Sequence, residues 1–297
     1  MKVKLLAHTQ VSQDFVQELC DAEKTRLLIN NSPGKMVALT AIRTCYSANK
    51  PSEIVIKEGD KYFKEKATDG GKGTEADRLN RQIQSSGHTS TLEHISFTFA
   101  IEGVSIALLK QLTRHRVGFS FSVQSQRYVK QSTDSRHGGF MWEAPEKIKN
   151  NEEAWVDFIN IMDEIQHAYD GLIELGIPQE DARAVLPNAA TTNLVMTANL
   201  TALLGFYSKR APGTGAQKEI TELAQLLKEK VVQAEPWTEE MFKVEPKHKA
   251  NKQSLEEQML NKISKVLANE QLTAEERHYE SDRIMSAYFA QLDGGQA

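Results

Sequence analysis

Two patterns along the sequence predict an α/β chain. Short stretches alternate apolar and polar residues, as a half-buried strand requires. Longer stretches space apolar residues three and four apart, as an amphipathic helix requires. The clearest strand is residues 94–101, where Ile95, Phe97, Phe99 and Ile101 share one face and Ser96, Thr98 and Ala100 the other. The clearest helix is residues 152–175, stopped by Gly176 and Pro178. With 297 residues, 40% hydrophobic and 26% charged, the chain can bury a substantial core. No apolar run approaches the ~20 residues of a membrane span, and residues 1–8 are too weakly apolar for a signal peptide. The only cysteines, Cys20 and Cys45, match no zinc spacing and point to a reducing, cytoplasmic setting. A net charge of -4 argues against a general nucleic-acid binder, though not against one basic site.

Taken in order, residues 3–7 read as a first strand. Residues 14–28 read as a helix burying Phe15, Val16, Leu19, Cys20 and Leu27, so that Cys20 serves packing. Residues 30–34 read as a turn and 36–46 as a helix. The polar stretch 57–77, with Gly70, Gly71 and Gly73, reads as a mobile surface loop. It lacks the spacing of a phosphate loop. A short helix over 79–86 leads to Gly87. After the strand that starts at His94, Gly103 turns the chain into a helix through Leu112, striped by Ser105, Leu108, Leu109 and Leu112. If that helix persists, Gln111, Arg114 and His115 fall on one side of it. Residues 191–208 carry no charge and read as one central helix ended by Lys209 and Arg210. Asn199 inside it needs hydrogen-bond partners if buried. Residues 218–234 form another amphipathic helix. Residues 244–297 read as a charged helical extension with Met259, Ile263, Val266 and Leu267 as its apolar stripe.

Two stretches carry the chemistry. Residues 111–128 hold Arg114, Arg116 and Arg127 with His115, and no Asp or Glu occurs from Gly103 to Thr133. Most basic runs are solvated faces. Here Phe119, Phe121 and Val123 alternate with Ser120, Ser122 and Gln124, so part of the stretch is half-buried and its planar guanidiniums need phosphate or carboxylate acceptors. The second stretch is Gly87-His88-Thr89-Ser90-Thr91-Leu92-Glu93-His94. Its histidines are six apart, which fits neither one helical face nor a zinc spacing, so no metal is expected. Ser90 or Thr91 is expected to cap a turn.

Arg114-His115-Arg116, a spacer, then Ser125-Gln126-Arg127-Tyr128 resembles the signature of the flavin-dependent thymidylate synthases. The spacer, Val117 to Gln124, is one residue longer than is usual there, and a bulge at 117–119 is the expected consequence. Four further stretches resemble the family in the same order: 41–46 (Arg43, Cys45, Tyr46), 88–94, 183–187 and 199–217. Residues 235–242 resemble the segment that closes its core. The resemblance covers residues 2–242 and implies a catalytic domain over 1–243, with 244–297 as an appendage. It implies a mixed, largely antiparallel sheet flanked by long helices (α+β). It also implies a homotetramer with shared active sites and methylation of dUMP to dTMP. Methylenetetrahydrofolate would give the carbon, NADPH would be the reductant and FAD the cofactor.

Carried over residue by residue, the resemblance makes Arg210 catalytic, polarising the pyrimidine. Gln111, Arg114, Gln124, Ser125, Gln126, Arg127, Arg183 and Arg210 would bind dUMP. Ser90, Arg114, His115, Arg116, Asn199, Thr201 and Gly205 would contact FAD. Thr201 and Gly205 replace an arginine and an asparagine found in some members, and Val123 stands where an acidic residue is common. Ser125 has no local base and is not expected to be a covalent nucleophile. No dinucleotide glycine fingerprint occurs, so flavin binding would not use a Rossmann unit. Two other classes fit the basic stretch: a flavoenzyme methylating uracil in RNA, and a non-catalytic nucleotide binder.

Overall fold

The computed structural model describes residues 1–244 and 247–293, with side chains in the last two helices described for 256–289. The chain divides into two compact units, Met1–Val244 and Glu245–Ala297. Within the first lies a four-stranded sheet of β1 (Lys2–His8), β2 (Ser96–Ser105), β3 (Phe119–Val123) and β4 (Thr191–Asn199). The strand order is β1-β2-β4-β3 and every pairing is antiparallel. Helices α1 (Gln13–Asp21), α2 (Thr25–Asn30), α3 (Pro33–Thr44), α4 (Ile54–Lys64) and α5 (Glu75–Ser86) separate β1 from β2. Helix α6 (Ile106–Leu112) follows β2. The helices α7 (Glu146–Lys149), α8 (Glu152–Glu174) and α9 (Gln179–Ala182) lie between β3 and β4, and α10 (Leu200–Arg210) and α11 (Lys218–Ala234) come after β4.

Alternation places the core. Phe97, Phe99 and Ile101 on β2 pair across with Ala198, Met196 and Leu194 on β4, and all six are buried. Phe119 and Phe121 on β3 pair with Ala198 and Met196 from the other side and stack on each other at 5.8 Å. Helix α11 packs against β1, α6 and α10 and buries Ile220, Leu223, Leu227 and Val231. The opposite face of the sheet is open, with the Thr98 and Thr197 hydroxyls hydrogen-bonded at 2.9 Å and Val195 partly exposed.

Several boundaries differ from the sequence reading. The uncharged stretch expected as one helix over 191–208 is a strand that passes directly into a helix. Thr192, Leu194, Met196 and Ala198 are buried and their neighbours are not, a period of two that the absence of charge conceals. Asn199, expected inside that helix, is instead its N-cap, its Oδ1 accepting the Ala202 N–H at 2.8 Å. Strand β2 begins at Ser96 rather than His94. It does not stop at Gly103 but runs to Ser105 through an irregularity between Ile101 and Val104, with Gly103 at φ +69. The helix expected over 14–28 breaks at Glu23, whose φ is 60, and Cys20 is exposed rather than packed. The turn expected at 30–34 already starts α3, with Pro33 in its first turn. Part of the expected loop 57–77 is helix α4, and the rest is tied down. Arg81 bonds both carboxylate oxygens of Asp69 and the carbonyl of Lys72, and its guanidinium holds the Asp69 carboxyl down at about 2.

One carboxylate joins the two ends of the first unit. Glu235, just after α11, is fully buried. It accepts the Gly34 N–H at 2.9 Å, the Trp237 indole N–H at 2.6 Å and the Ser32 hydroxyl, with His8 Nδ1 at 3.8 Å. A buried acid thus serves as the N-terminal cap of α3 from across the domain.

The second unit is a pair of helices, α12 (Lys247–Leu267) and α13 (Ala274–Asp293), that pack on each other. Thr273 and Glu276 form reciprocal side-chain and backbone hydrogen bonds at the start of α13. Met259, Ile263 and Val266 are half-buried, while Leu267, expected in the same stripe, is 54% exposed. Residues 245–246 and 294–297 of the expected extension lie outside the described residues.

Candidate functional site

The basic stretch begins on α6, and an acid from α11 fixes where α6 starts. The Ser105 N–H donates to Glu219 Oε1 at 2.8 Å and its hydroxyl to Oε2 at 2.5 Å, while Ser105 Oγ accepts the Leu108 N–H at 3.0 Å. Leu108 and Leu112 are fully buried, which turns Gln111 toward the surface, where its amide donates to Gln217 Oε1 at 2.6 Å. The helix ends at Leu112, so Arg114 and His115 are not held on its face as the spacing predicts. They lie in a turn in which the Phe119 N–H returns to the Arg116 carbonyl at 3.3 Å. The turn needs Gly118. Its φ is +75, and a Cβ there would meet Ala202 Cβ at 2.7 Å and Asn199 Nδ2 at 2.8 Å. Where a bulge is expected at 117–119 the chain makes a tight turn that leaves Val117 89% exposed.

This turn sets Arg114 and Arg116 in solvent and folds His115 inward. The imidazole meets Phe206 edge-on at 5.0 Å and Phe119 at 6.0 Å. Phe206 and Arg210 are four residues apart and so share a face of α10. Among the described residues, Nε2 of His115 and Nε of Arg210 are both buried without a hydrogen-bond partner. Burial, then Arg210, Lys209 and Arg114 in turn, push the His115 pKa below its ordinary 6.5. The folded state then binds fewer protons than the unfolded state between the lowered value and 6.5, so stability rises with pH across that window. We expect melting temperature to fall as pH drops from 7 to 5, and His115→Gln to flatten the profile. Parallel profiles for the two proteins would show that His115 does not titrate in this way.

A second group gathers behind β3. Gln124 Oε1 accepts from Asn193 Nδ2 at 2.8 Å, which aligns the end of β3 with β4. Ser125 Oγ accepts the Arg127 N–H at 3.1 Å and, among the described residues, meets no base. Gln126 is half-buried beside it. Arg127 pairs through Nε with the Glu180 carboxylate and lies 5.5 Å from the Tyr128 ring. Arg183, expected in a cleft, is exposed. Its Nε donates to the Glu180 carbonyl at 3.0 Å. Two arginines far apart in sequence thus converge on one residue that sequence reasoning passed over. The only signal for Glu180 is its place three residues before Arg183 on a short helix.

The third group is formed by the segment 88–94. Ser90 is exposed on a short turn of helix, and Thr201 Oγ1 donates to the Thr89 carbonyl at 2.8 Å, tying α10 to this segment. Tyr46 OH lies 3.2 Å from His88 Nδ1. Ser90 and His88 edge a cleft of about 710 Å³ whose apolar wall includes Phe15, Met36 and Ala41. That is the size of a cofactor pocket, although the cleft reaches none of the site arginines. Gly205 adds open surface, since a Cβ at that position would meet no atom within 4 Å. Among the described residues no cluster of His, Cys, Asp or Glu could hold a metal, and no helix is long and apolar enough to cross a membrane.

These features fit a planar anionic cofactor and a phosphorylated ring. The observation is the pair of buried nitrogens, on His115 and Arg210, that are orphaned among the described residues, in a stretch with exposed guanidiniums at Arg114 and Arg116. The family model described as thymidylate synthase complementing protein matches residues 26–237. The flavin-dependent thymidylate synthase of Geobacter sulfurreducens is 45% identical over 143 residues, 48% of this chain and 59% of that one. This chain therefore spans 59% of the length of that relative. The flavin-dependent thymidylate synthase of Clostridium tetani is 34% identical over 221 residues, 69% of this chain and 80% of that one. The crystal structure of the UMP/dUMP methylase PolB from Streptomyces cacaoi, bound with 5-Br dUMP, has the same fold. Its TM-score is 0.57 at 21% identity, over 81% of this chain and 94% of that one. By the extent of these matches, the chain belongs to the flavin-dependent thymidylate synthase family.

Proposed function

We propose that this chain converts dUMP to dTMP, with methylenetetrahydrofolate as carbon donor, NADPH as reductant and FAD as cofactor. The observation that carries this reading is Arg210, a guanidinium whose buried Nε has no partner among the described residues, at the end of a helix with no charge before Lys209, in a chain of this family. Pyrimidine C5 attacks a carbon electrophile only when negative charge builds on the ring. A fixed cation at the ring's polar edge stabilises that charge, and most strongly where water is excluded. Gln111, held by Gln217, and Gln124, held by Asn193, would frame the ring, with Ser125 and Gln126 beside it. Arg127 and Arg183, which meet at Glu180, would supply a pair of forks for the phosphate, and Arg114 would border both ligands.

Arg114, His115 and Arg116, with Ser90, Asn199, Thr201 and Gly205, would hold FAD, which when bound relays hydride from NADPH. Thr201 and Asn199 act here by fixing backbone, since their side chains are committed to Thr89 and Ala202. Gly205 leaves room where a side chain would otherwise intrude. His115, kept neutral, can donate or accept one hydrogen bond to a ligand without adding charge.

A homotetramer with shared sites is supported by α8. Of its 23 residues only Met162 and Tyr169 are buried, while Val156 is 55% and Ile161 50% exposed, so its apolar surface is uncovered in one chain. Cytoplasmic location fits the two free thiols. We place the chemistry within residues 1–243 and none of it in 244–297. The test is an assay for dTMP from dUMP with methylenetetrahydrofolate, NADPH and added FAD. Yellow protein without dTMP formation would reject the substrate, and colourless protein that binds no flavin would reject the class.

A further inference from the structure

We propose that Glu180 is a stand-in for the substrate's phosphate. On this view it occupies the Arg127–Arg183 pair in the free enzyme and must be displaced by any phosphate that binds there. The inference rests on the reading of these arginines as holders of the nucleotide phosphate. Its physical basis is that one residue engages both guanidiniums. Pro178 starts the four-residue helix α9, from which the Glu180 carboxylate reaches Arg127 Nε and the Glu180 carbonyl takes Arg183 Nε at 3.0 Å. The Nη ends of both arginines make no hydrogen bond among the described residues, so both forks stay open to a second acceptor. A carboxylate and a phosphate both offer paired oxygens to a guanidinium fork, which makes the two competitors for it.

Exposure and charge decide which wins. Arg127 is 53% and Glu180 42% exposed at the side chain, and an ion pair so open to water is weak enough for a ligand to displace. Two guanidiniums and one carboxylate leave a single net positive charge. A phosphate monoester brings close to two negative charges and three acceptor oxygens. It gains from both forks and drives the carboxylate off. An uncharged nucleoside gains nothing from the forks and leaves the pair closed. Glu180 therefore weakens phosphate binding by a fixed increment, as a competitor that never touches the reacting ring.

The test uses the full chain loaded with FAD. Calorimetric titrations with dUMP, deoxyuridine and inorganic phosphate are compared for wild type, Glu180→Gln, Glu180→Ala and Arg127→Ala. The glutamine variant keeps the shape and an accepting oxygen but removes the charge, and the exposed position should fold normally. Both Glu180 variants should bind dUMP and inorganic phosphate about 2- to 5-fold more tightly, with deoxyuridine unchanged. Weaker dUMP binding by Glu180→Ala, with Glu180→Gln at wild-type affinity, would make Glu180 a positioning residue for the arginines and overturn the proposal. Arg127→Ala should weaken dUMP about 10- to 100-fold. If it leaves dUMP binding untouched, the phosphate reading of the pair fails, and the proposal falls with it by a distinguishable route.

Discussion

Replacing Arg210 by lysine is expected to lower turnover about 100- to 1000-fold while FAD stays bound. The magnitude is that of losing one preorganised donor to a developing oxyanion. Lysine keeps the positive charge at the C-terminus of α10, so the favourable interaction with the helix end, about 0.3–1 kcal/mol, is retained. What it loses is the planar fork and the fixed direction of Nε, which lies buried with no partner. Turnover and melting temperature measured on the same Arg210→Lys protein separate the two roles. A steep fall in turnover with an unchanged melting temperature is the expected pair. Near-normal turnover would leave Arg210 as a helix-end cation.

The largest effect on stability is expected from Glu235→Ala. That change leaves the buried Gly34 N–H and the part-buried Trp237 indole and Ser32 hydroxyl without their acceptor, and it opens a void. Orphaned buried donors of this kind cost about 1–3 kcal/mol each, with partial relief by relaxation, so a loss of about 3–5 kcal/mol is expected. For a unit of this size that lowers the melting temperature by roughly 10 °C. Glu235→Gln keeps the volume and one accepting oxygen and should cost less. Equal melting temperatures for wild type and the alanine variant would mean that the clamp contributes nothing. Gly34 reports on the same contact, because a Cβ there would lie 2.6 Å from the Glu235 carboxyl group.

The helices and strands with clean periods were legible in the sequence: β1, the centre of β2, α5, α8 and α11. Strand β4 was not, and the reason is its outward-facing set. Thr191, Asn193, Val195 and Thr197 carry no charge, so they offer little polar contrast to the buried residues between them, and the strand merges with the apolar helix that follows. In the basic stretch, the residue types that signal anion binding were readable, and so was the half-buried alternation of Phe119 and Phe121. The partners were not. Glu180, Gln217, Phe206 and Glu219 meet their partners from remote stretches of chain, the last of them across 114 residues. No local pattern encodes such pairings, and resemblance carried over only the residues within motifs.

Strands β2 and β4 pass into α6 and α10 with no residue between, and the last strand residue of each, Ser105 and Asn199, is also the helix cap. Each junction is therefore a rigid elbow rather than a hinge. One inserted residue there would turn the following helix by about 100° about its axis and carry its side chains to another face. After Asn199 that rotation would take Phe206 away from His115 and swing the Arg210 Nε out of its buried position. Length can drift where the chain already runs free of the sheet, as in the turn at 113–118 and in the segment between β3 and α7. In an evolving lineage the two elbows would act as fixed datum points, against which new contacts arise by exchange of side chains and not by insertion or deletion.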